Sequence, residues 1–346
     1  MKTKIIKINP NNPEISRIKI AARILRRGGL VAFPTETVYG LGADALNPES
    51  VKKIFETKGR PFDNPLIIHI ADKKEIYRLA ERIPKETKKL MNKFWPGPLS
   101  LVFNKSKLVP DIITGGSNTV AIRMPANKIA LALIKEAKVP IAAPSANLFS
   151  KPSPTRTEHV IQDLYGKINI IIEGGETKIG IESTVLDLTT NPPTLLRPGG
   201  ISLEELEEVL GKIEIHPFVK EKKIKKIVVK SPGMKYKHYA PYARIIVFEG
   251  KHERVKKKIQ QLVDKYQGEG KVVGVMTTDE NHNYKANVIK FMGNKFNTIA
   301  KNLFSTFRDF DKEKVDLIIA EGVGDKGLGL AIMNRLKRAS YKIIKV

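Results

Sequence analysis

The sequence contains no cysteine among its 346 residues and no apolar stretch long enough to cross a bilayer. The absence of cysteine excludes disulfide bonds, thiolate zinc sites and catalysis by a thiol, and it is typical of a reducing compartment. A membrane-spanning helix needs about 18 consecutive apolar residues. The basic segment Met1–Lys4 is not followed by the apolar region of a secretory signal. We therefore expect a cytoplasmic protein that does not associate with membranes.

Acidic residues are scarce relative to basic ones. The chain has 61 Lys and Arg residues against 36 Asp and Glu residues, which gives a formal net charge of +25. A positive field of this size attracts nucleotides, nucleic acids and other anions without choosing among them. The hydrophobic content of 41% predicts a substantial core, and the length predicts two or three domains.

Hydrophobic periodicity divides the chain into three parts. Residues 1–212 alternate short apolar strands with amphipathic helices in an irregular order, which predicts an α/β domain with a large mixed, twisted sheet. Residues 213–241 are Lys-rich and then irregular, and we interpret them as a linker or lid. Residues 242–346 follow the order β-α-β-β-α-β-α, which predicts a small Rossmann-like accessory domain.

A glycine motif in the last domain resembles a dinucleotide-binding loop. Gly322-Val-Gly324-Asp-Lys-Gly327 has the GxGxxG spacing between a predicted strand and a predicted helix. A dinucleotide site also needs an acidic residue about 20 positions later, at the head of the next strand. The chain ends before that position, so we interpret the motif as a tight strand-to-helix turn and expect no organic cofactor.

Two polar trios follow apolar segments and are typical of phosphate-binding loops. Lys58-Gly-Arg60 offers a point charge and a planar guanidinium for phosphate oxygens. Ser145-Ala-Asn147 offers short donors that complete a phosphate cage. The sequence contains no Walker A, HExxH or GxSxG motif, and its six histidines lack metal-ligand spacing. These features favour a reaction whose nucleophile comes from a substrate and whose obstacle is phosphate charge.

The order of the motifs resembles that of the YrdC family. The motifs are FPTETVYGLG, KGRP, NPL, FWPGPLS, VAIRMP, PSAN, ESTV and LRPGG. The later segments SPGMKYKHYAP and GLGLAIMNRLKRAS resemble the longer, two-domain form of the family, whose members are threonylcarbamoyl-AMP synthases. The resemblance extends from about Ile15 to the C-terminus.

The resemblance implies a nucleotide site and assigns residues to it. The implied catalytic residues are Lys58, Arg60, Ser145 and Asn147. The implied ATP-binding residues are Arg60, Asn64, Thr119, Ser145, Ser153, Arg197 and Gly233. For several of these residues an ordinary structural role is the alternative to nucleotide binding. Asn64 either donates to phosphate or caps the strand at Pro65, Thr119 suits a strand by its β-branching, and Arg197 is otherwise a surface charge at a strand end.

The resemblance also implies a threonine site. Its implied residues are Thr37, His69, Arg123, Ala143 and Ser183. Arg123 lies inside an apolar strand, where a cation needs an anion. The family assigns that anion as the amino-acid carboxylate, and an internal salt bridge is the alternative. His69, in the apolar strand LIIHI, is otherwise a satisfied core histidine. Glu36 and Glu182 are the nearest acids, and neither is selected as a general base.

By the same resemblance, the expected reaction joins L-threonine, bicarbonate and ATP into L-threonylcarbamoyladenylate and releases pyrophosphate. Mg²⁺ is expected to arrive with ATP, held mainly by phosphates rather than by the protein. The product is expected to pass to a threonylcarbamoyl transferase that modifies tRNA. The segment Ser231–Pro241, with Tyr236 among its aromatics, is interpreted as a lid, and a passive tether is the alternative.

Two other function classes were weighed. The charge of +25 favours a double-stranded RNA or tRNA binding module without turnover, but the chain has no RNP-type aromatic stripe or KH-type GXXG context. A carbamoyl transferase related to the hydrogenase-maturation proteins would bring Cys-rich zinc segments, which this chain lacks. The same charge is also compatible with direct contact between the enzyme and tRNA or double-stranded RNA.

Overall fold

The computed structural model describes residues 2–220 and 239–346, without the side chain of Lys220. The described residues fall into two compact units. The first comprises residues 2–149 and 153–220, and the second comprises residues 150–152 and 239–346. No helix in these ranges is long and apolar enough to cross a membrane.

The first unit contains strands and helices in irregular alternation, as the sequence predicts. Its strands are β1 (Lys4–Lys7), β2 (Val31–Phe33), β3 (Gly40–Asp44), β4 (Ile67–His69), β5 (Leu99–Asn104), β6 (Thr119–Arg123), β7 (Ile141–Ala142), β8 (Ile170–Glu173), β9 (Thr184–Asp187), β10 (Thr194–Arg197) and β11 (Glu214–Ile215). Its helices are α1 (Ile15–Arg26), α2 (Pro48–Lys58), α3 (Ile76–Leu79), α4 (Glu86–Phe94), α5 (Asp111–Thr114), α6 (Lys128–Ala137), α7 (Thr157–Leu164), α8 (Leu203–Leu210) and α9 (Pro217–Lys220), with a 3₁₀ turn at Lys73–Glu75.

The strands of the first unit form one 11-stranded sheet in the order β1-β8-β2-β3-β7-β4-β6-β5-β9-β10-β11. Parallel pairs such as β4 with β6 alternate with antiparallel pairs such as β5 with β6. The large mixed sheet expected from the sequence is therefore confirmed. The sheet extends past the predicted boundary at residue 212, because β11 pairs with β10 in parallel.

The core of the first unit forms where helix α1 packs on helix α6 and on the neighbouring strands. Helix α1 buries Ile18, Ala21, Ala22 and Leu25, which recur at the spacing of one helical face. These side chains join a cluster with Leu133 of α6 and with the apolar residues of β1, β2 and β8. This core packs against the end of the sheet that is formed by β1, β8 and β2.

Helix α2 delivers the Lys58 motif to a defined place. The Asn47 side chain accepts a hydrogen bond from the Ser50 backbone N–H, and Pro48 occupies the first helical position. The helix ends at Gly59, whose φ of 63° lies in the left-handed region that glycine adopts without strain. Lys58 is therefore the last helical residue, and its side chain is buried.

The second unit is a parallel α/β domain. It contains β12 (Arg244–Glu249), α10 (His252–Gly268), β13 (Val273–Thr277), β14 (Val288–Phe291), α11 (Phe296–Lys312), β15 (Leu317–Glu321), α12 (Leu328–Ala339) and β16 (Lys342–Lys345). The five strands are all parallel, in the order β14-β13-β15-β12-β16. This confirms the Rossmann-like prediction and adds the strand β16, which the sequence analysis did not predict.

Candidate active site

A line of buried polar side chains crosses the sheet of the first unit. His69 of β4 pairs with Arg123 of β6, Arg123 pairs with Ser100 of β5, and Ser100 pairs with Val185 of β9. Val185 in turn pairs with Arg197 of β10, next to a register shift. Directly paired residues of neighbouring strands present their side chains to the same face. Two arginines, a histidine and a serine therefore lie on one face, and all four are buried.

Arg123 is held by groups from two segments, the turn at Glu36–Thr37 and the loop at Gly97. Its Nε donates to the Gly97 carbonyl oxygen at 3.2 Å, and its Nη1 donates to Thr37 Oγ1 at 3.0 Å. Its Nη2 lies 2.7 Å from Glu36 Oε1, and both side chains of this ion pair are about 95% buried. The internal salt bridge considered as an alternative for Arg123 is thus present. It does not use all the hydrogen-bonding capacity of either group, because Nη2 and both Glu36 oxygens lack hydrogen-bond partners among the described residues.

The turn after β2 brings Glu36 and Thr37 to Arg123. The Thr35 hydroxyl donates to the Val38 carbonyl oxygen at 2.6 Å and accepts from the Thr37 backbone N–H at 3.2 Å. The Thr35 and Thr37 hydroxyl oxygens are 2.8 Å apart. These bonds satisfy the polar groups of a buried turn and fix the position of the Thr37 hydroxyl, which was one of the predicted threonine contacts.

His69 is fully buried and stays neutral at physiological pH. Its Nδ1 lies 3.2 Å from the Ile67 carbonyl oxygen and donates to it. Burial lowers the pKa of His69 to about 3, and the positive charge of Arg123 contributes to the same direction. A neutral His69 adds no second positive charge beside Arg123. Arg123 and Glu36 are therefore the charged groups of this part of the site.

The buried neutral state of His69 predicts a pH dependence of stability. Between pH 6.5 and about 3 the unfolded chain takes up a proton that the folded chain refuses, so stability falls as the pH falls through this range. When the pH is lowered from 7.5 to 5, the protonation of this residue in the unfolded chain should reduce the free energy of unfolding by about 2 kcal/mol. Denaturant unfolding at the two pH values should show a correspondingly smaller loss in His69→Asn than in the unsubstituted protein. Equal losses in both proteins would contradict the burial of a neutral His69.

Arg197 and Ser183 form the far end of the polar line. Arg197 Nη2 donates to the Ser183 carbonyl oxygen at 2.9 Å and to Ser183 Oγ at 3.1 Å, and its Nε donates to the same carbonyl. The Ser183 and Ser100 hydroxyl oxygens are 2.8 Å apart. Arg197 is buried, so its interpretation as a surface charge is wrong.

The Pro-Gly-Gly that follows Arg197 is explained by close packing. A Cβ atom at Gly199 would lie 2.3 Å from the Thr184 backbone nitrogen and 2.4 Å from the Glu182 carbonyl oxygen. Only glycine allows this approach of the two backbones. The LRPGG motif therefore keeps the Arg197 strand against the segment that contains Ser183.

Lys58 ties the two predicted phosphate loops together. Its ammonium group donates to the backbone carbonyl oxygens of Ser145 and Asn147, 87 and 89 residues further along the chain. The Phe149 backbone N–H donates in return to the Lys58 carbonyl oxygen at 2.8 Å. The sequence analysis placed Lys58 against phosphates, whereas the structure shows it holding the backbone of the Ser145–Asn147 loop.

Arg60 and Asn64 lie close together at the start of β4. Arg60 Nε donates to the Asn64 carbonyl oxygen at 3.1 Å, and Nη2 donates to the Pro65 carbonyl oxygen at 2.9 Å. The Asn64 side chain is 1% exposed, yet neither its oxygen nor its nitrogen has a hydrogen-bond partner among the described residues. A buried amide without partners is costly. Among the described residues the Asn64 side chain therefore caps no strand through a hydrogen bond.

The remaining predicted residues have simple surroundings. Thr119 begins β6, on the same face as Arg123, and its hydroxyl lies 2.9 Å from Ser117 Oγ. Ser153 donates to Glu182 Oε1 at 2.5 Å. The Ala143 backbone N–H donates to the Ile67 carbonyl oxygen. Gly233 and Tyr236 lie outside the described residues, as do positions 231–238 of the predicted lid Ser231–Pro241.

Three residues join this site although the sequence analysis did not select them. Ser100 is a lone buried hydroxyl in the apolar strand LSLVF, and Thr35 supports the turn that carries Thr37. Glu36 was considered and left aside. The signal for Ser100 was a polar residue in an apolar segment, whereas Glu36 stands in a polar turn and carries no such signal. The partners of both residues come from distant parts of the chain.

The comparisons with known proteins agree with this architecture. The domain profile of the Sua5, YciO and YrdC proteins, described as telomere recombination, matches residues 23–199. A second profile, described as the C-terminal domain of threonylcarbamoyl-AMP synthase, matches residues 201–340. The chain is 57% identical over 331 residues to the threonylcarbamoyl-AMP synthase of Pyrococcus abyssi, with 95% of this chain and 96% of the relative covered.

Further relatives extend the match. The threonylcarbamoyl-AMP synthase of Bacillus subtilis is 50% identical over 337 residues, which cover 96% of this chain and 94% of the relative. The crystal structure of P. abyssi Sua5 complexed with L-threonine superposes with a TM-score of 0.95 at 56% identity, and covers 99% of this chain and 100% of that one. The chain therefore belongs to the threonylcarbamoyl-AMP synthase family, the two-domain form of the Sua5 and YrdC proteins, which confirms the family and enzyme class expected from the sequence.

Proposed function

We propose that the chain synthesises L-threonylcarbamoyladenylate from L-threonine, bicarbonate and ATP, with release of pyrophosphate. The observation that carries the proposal is the line of buried polar side chains from His69 to Arg197, which combines cations and hydroxyls on one face of a sheet. Buried charges need partners. An amino acid beside an adenylate offers carboxylate, hydroxyl and phosphate groups of the kinds these residues recognise. The relative of known structure with L-threonine bound supports the choice of amino acid.

In the proposed mechanism the nucleophile comes from the substrate. The threonine amine and bicarbonate give a carbamate and water, and a carbamate oxygen then attacks the α-phosphorus of ATP as pyrophosphate leaves. The protein's part is positioning and charge stabilisation. Arg60, Asn64 and the Ser145–Asn147 loop are proposed to hold phosphates. Thr37, Arg123 and Ser183 are proposed to hold threonine.

Mg²⁺ is included as the ion that accompanies ATP. The described residues contain no group of three or more His, Cys, Asp or Glu side chains arranged to hold a metal ion. We propose that its ligands are mainly phosphate oxygens, as is common for Mg²⁺ in nucleotide sites. We further propose that the adenylate serves a threonylcarbamoyl transferase that modifies tRNA, and that both act in the cytoplasm.

One assay tests the proposed reaction. Pyrophosphate release from MgATP should require both L-threonine and bicarbonate, and mass spectrometry should detect an adenylate that contains both. Pyrophosphate release that does not depend on threonine would refute the proposal. An RNA-binding protein without turnover would instead bind RNA with an affinity that falls steeply with salt concentration, and would release no pyrophosphate.

Asn64 gives a sharper test of the nucleotide site. Because its side-chain amide has no partner among the described residues, Asn64→Ala removes no hydrogen bond and should lower the free energy of unfolding by no more than about 1 kcal/mol. The same variant should weaken ATP binding by about tenfold or more, as expected for a lost hydrogen bond to a charged group. Calorimetric titration with a non-hydrolysable ATP analogue and denaturant unfolding measure the two effects.

Asn169 offers a matched control. Its Oδ1 accepts a hydrogen bond from the Leu30 backbone N–H at 2.9 Å, so this amide has a structural partner. Asn169→Ala should lower stability and leave the affinity for the ATP analogue unchanged. If Asn64→Ala behaves like Asn169→Ala, the Asn64 side chain supports the fold rather than the nucleotide.

A further inference from the structure

Glu36 is a buried acid whose side chain forms an ion pair with Arg123 but accepts no hydrogen bond among the described residues. It is 5% exposed, and within the described residues neither Oε1 nor Oε2 accepts a hydrogen bond. Arg123 Nη2 approaches Oε1 to 2.7 Å without hydrogen-bond alignment, and it also lacks an acceptor. Burial of a charge is expensive unless the charge is paired and its hydrogen bonds are made. A carboxylate in this state is suited to a ligand that brings its own donors.

Other buried acids of the first unit are satisfied by neighbours. Glu182 accepts a hydrogen bond from Ser153 Oγ at 2.5 Å. Asp187 accepts from the Thr189 backbone N–H at 2.8 Å and from the Thr189 hydroxyl at 2.6 Å. The lack of aligned hydrogen bonds to Glu36 among the described residues is therefore a local property of the Arg123 site, and not a general feature of acids in this unit.

The backbone holds Glu36 in place. The Ile179 N–H donates to the Glu36 carbonyl oxygen at 2.8 Å, and the Gly180 N–H donates to the Thr37 carbonyl oxygen at 3.1 Å. The Thr35 hydroxyl closes the same turn from the other end. A carboxylate on so constrained a turn is preorganised, so little conformational entropy is lost when it binds a donor.

We propose that Glu36 accepts hydrogen bonds from the α-ammonium group of the amino-acid substrate and thereby restricts the site to acids that carry an amine. Glu36 and Arg123 place one negative and one positive group side by side, which complements an amino-acid zwitterion. The carboxylate of the ligand would use Arg123, and its ammonium group would use the free Glu36 oxygen. The inference rests on the proposed function, since it presumes that threonine occupies this site.

The test compares two ligands that differ only in the amine. L-threonine and its deamino analogue (3R)-3-hydroxybutanoate are titrated calorimetrically into the full-length protein and into Glu36→Gln. The unsubstituted protein should prefer threonine strongly, because a site built for an N–H group rejects a ligand without it. Glu36→Gln should reduce that preference by about ten- to a hundredfold, the range for a hydrogen bond to a charged group. Glu36→Asp keeps the charge and should retain part of the preference for threonine. It replaces Glu36→Gln in the test if that variant does not fold.

Asp187→Asn is the matched control, since it neutralises another buried acid of the same unit, and Asp187 accepts its hydrogen bonds from Thr189, outside the proposed site. Its ratio of threonine to analogue affinity should stay within about twofold of the unsubstituted ratio. If Glu36→Gln and Glu36→Asp both keep the full preference, the inference is overturned while the proposed function stands. If the unsubstituted protein does not bind threonine at all, the proposed function fails and the inference fails with it.

Discussion

Arg123→Ala is expected to abolish measurable threonine binding and to lower the free energy of unfolding by about 3–5 kcal/mol. The stability loss arises because the substitution leaves the Glu36 carboxylate buried without its cation, 2.7 Å from where the guanidinium was. The substitution also removes the donors to Thr37 and to the Gly97 carbonyl oxygen. Denaturant unfolding and calorimetric titration with L-threonine measure the two losses separately.

A double variant separates the structural role of Arg123 from its role in binding. Arg123→Met combined with Glu36→Gln removes both charges and keeps similar side-chain volumes. Replacing a whole buried ion pair is far less costly than breaking it, so this protein should recover most of the stability and none of the threonine binding. Recovery of both would show that Arg123 acts on threonine only through the fold.

An exposed ion pair of the same unit provides the reference. Arg156 Nε lies 2.9 Å from Glu176 Oε1, and both side chains are at least 30% exposed. Arg156→Ala should cost less than about 1 kcal/mol, because solvent screens the pair. A loss of that size for Arg123→Ala would mean that water reaches Glu36 in solution, which contradicts its burial.

The sequence was sufficient to predict the fold class and most strands. Strands such as β4 and β6 are short, apolar and β-branched, and this pattern is specific enough to be recognised. The spacing Ser202-x-x-Glu205 is typical of a capping box, and the structure has both of its reciprocal hydrogen bonds. Local chemistry decides features of this kind, so the local sequence contains the information.

The arrangement of the site was less predictable. The polar line depends on the register of five strands, and a shift of one residue would turn Arg123 and Ser100 to the other face. The partner of Glu36 is 87 residues away, and no local pattern specifies it. Strand β16 was missed because a short apolar segment after a helix does not by itself indicate sheet pairing.

Lys58→Met is expected to lower turnover at least about 100-fold, the effect of displacing reacting groups by about 1 Å. Methionine keeps most of the length of the apolar side chain and removes the ammonium group that joins the Ser145 and Asn147 carbonyl oxygens. The Ser145–Asn147 loop then loses a connection to helix α2. Steady-state pyrophosphate release with L-threonine and bicarbonate measures the loss of turnover.

Hydrogen exchange in the protein without ligands distinguishes a loop anchor from a phosphate contact. If Lys58 anchors the loop, Lys58→Met should accelerate amide exchange at Ala146, Asn147 and Phe149 before any ATP is added. Lys53→Met is the control, since Lys53 lies on the same helix and donates at 2.8 Å to the Gly28 carbonyl oxygen. It should leave exchange at these amides unchanged and turnover within about twofold. Unchanged exchange in Lys58→Met, together with lost turnover, would instead mean that Lys58 acts on the phosphates directly, since a charge that meets only the ligand has no effect on the free loop.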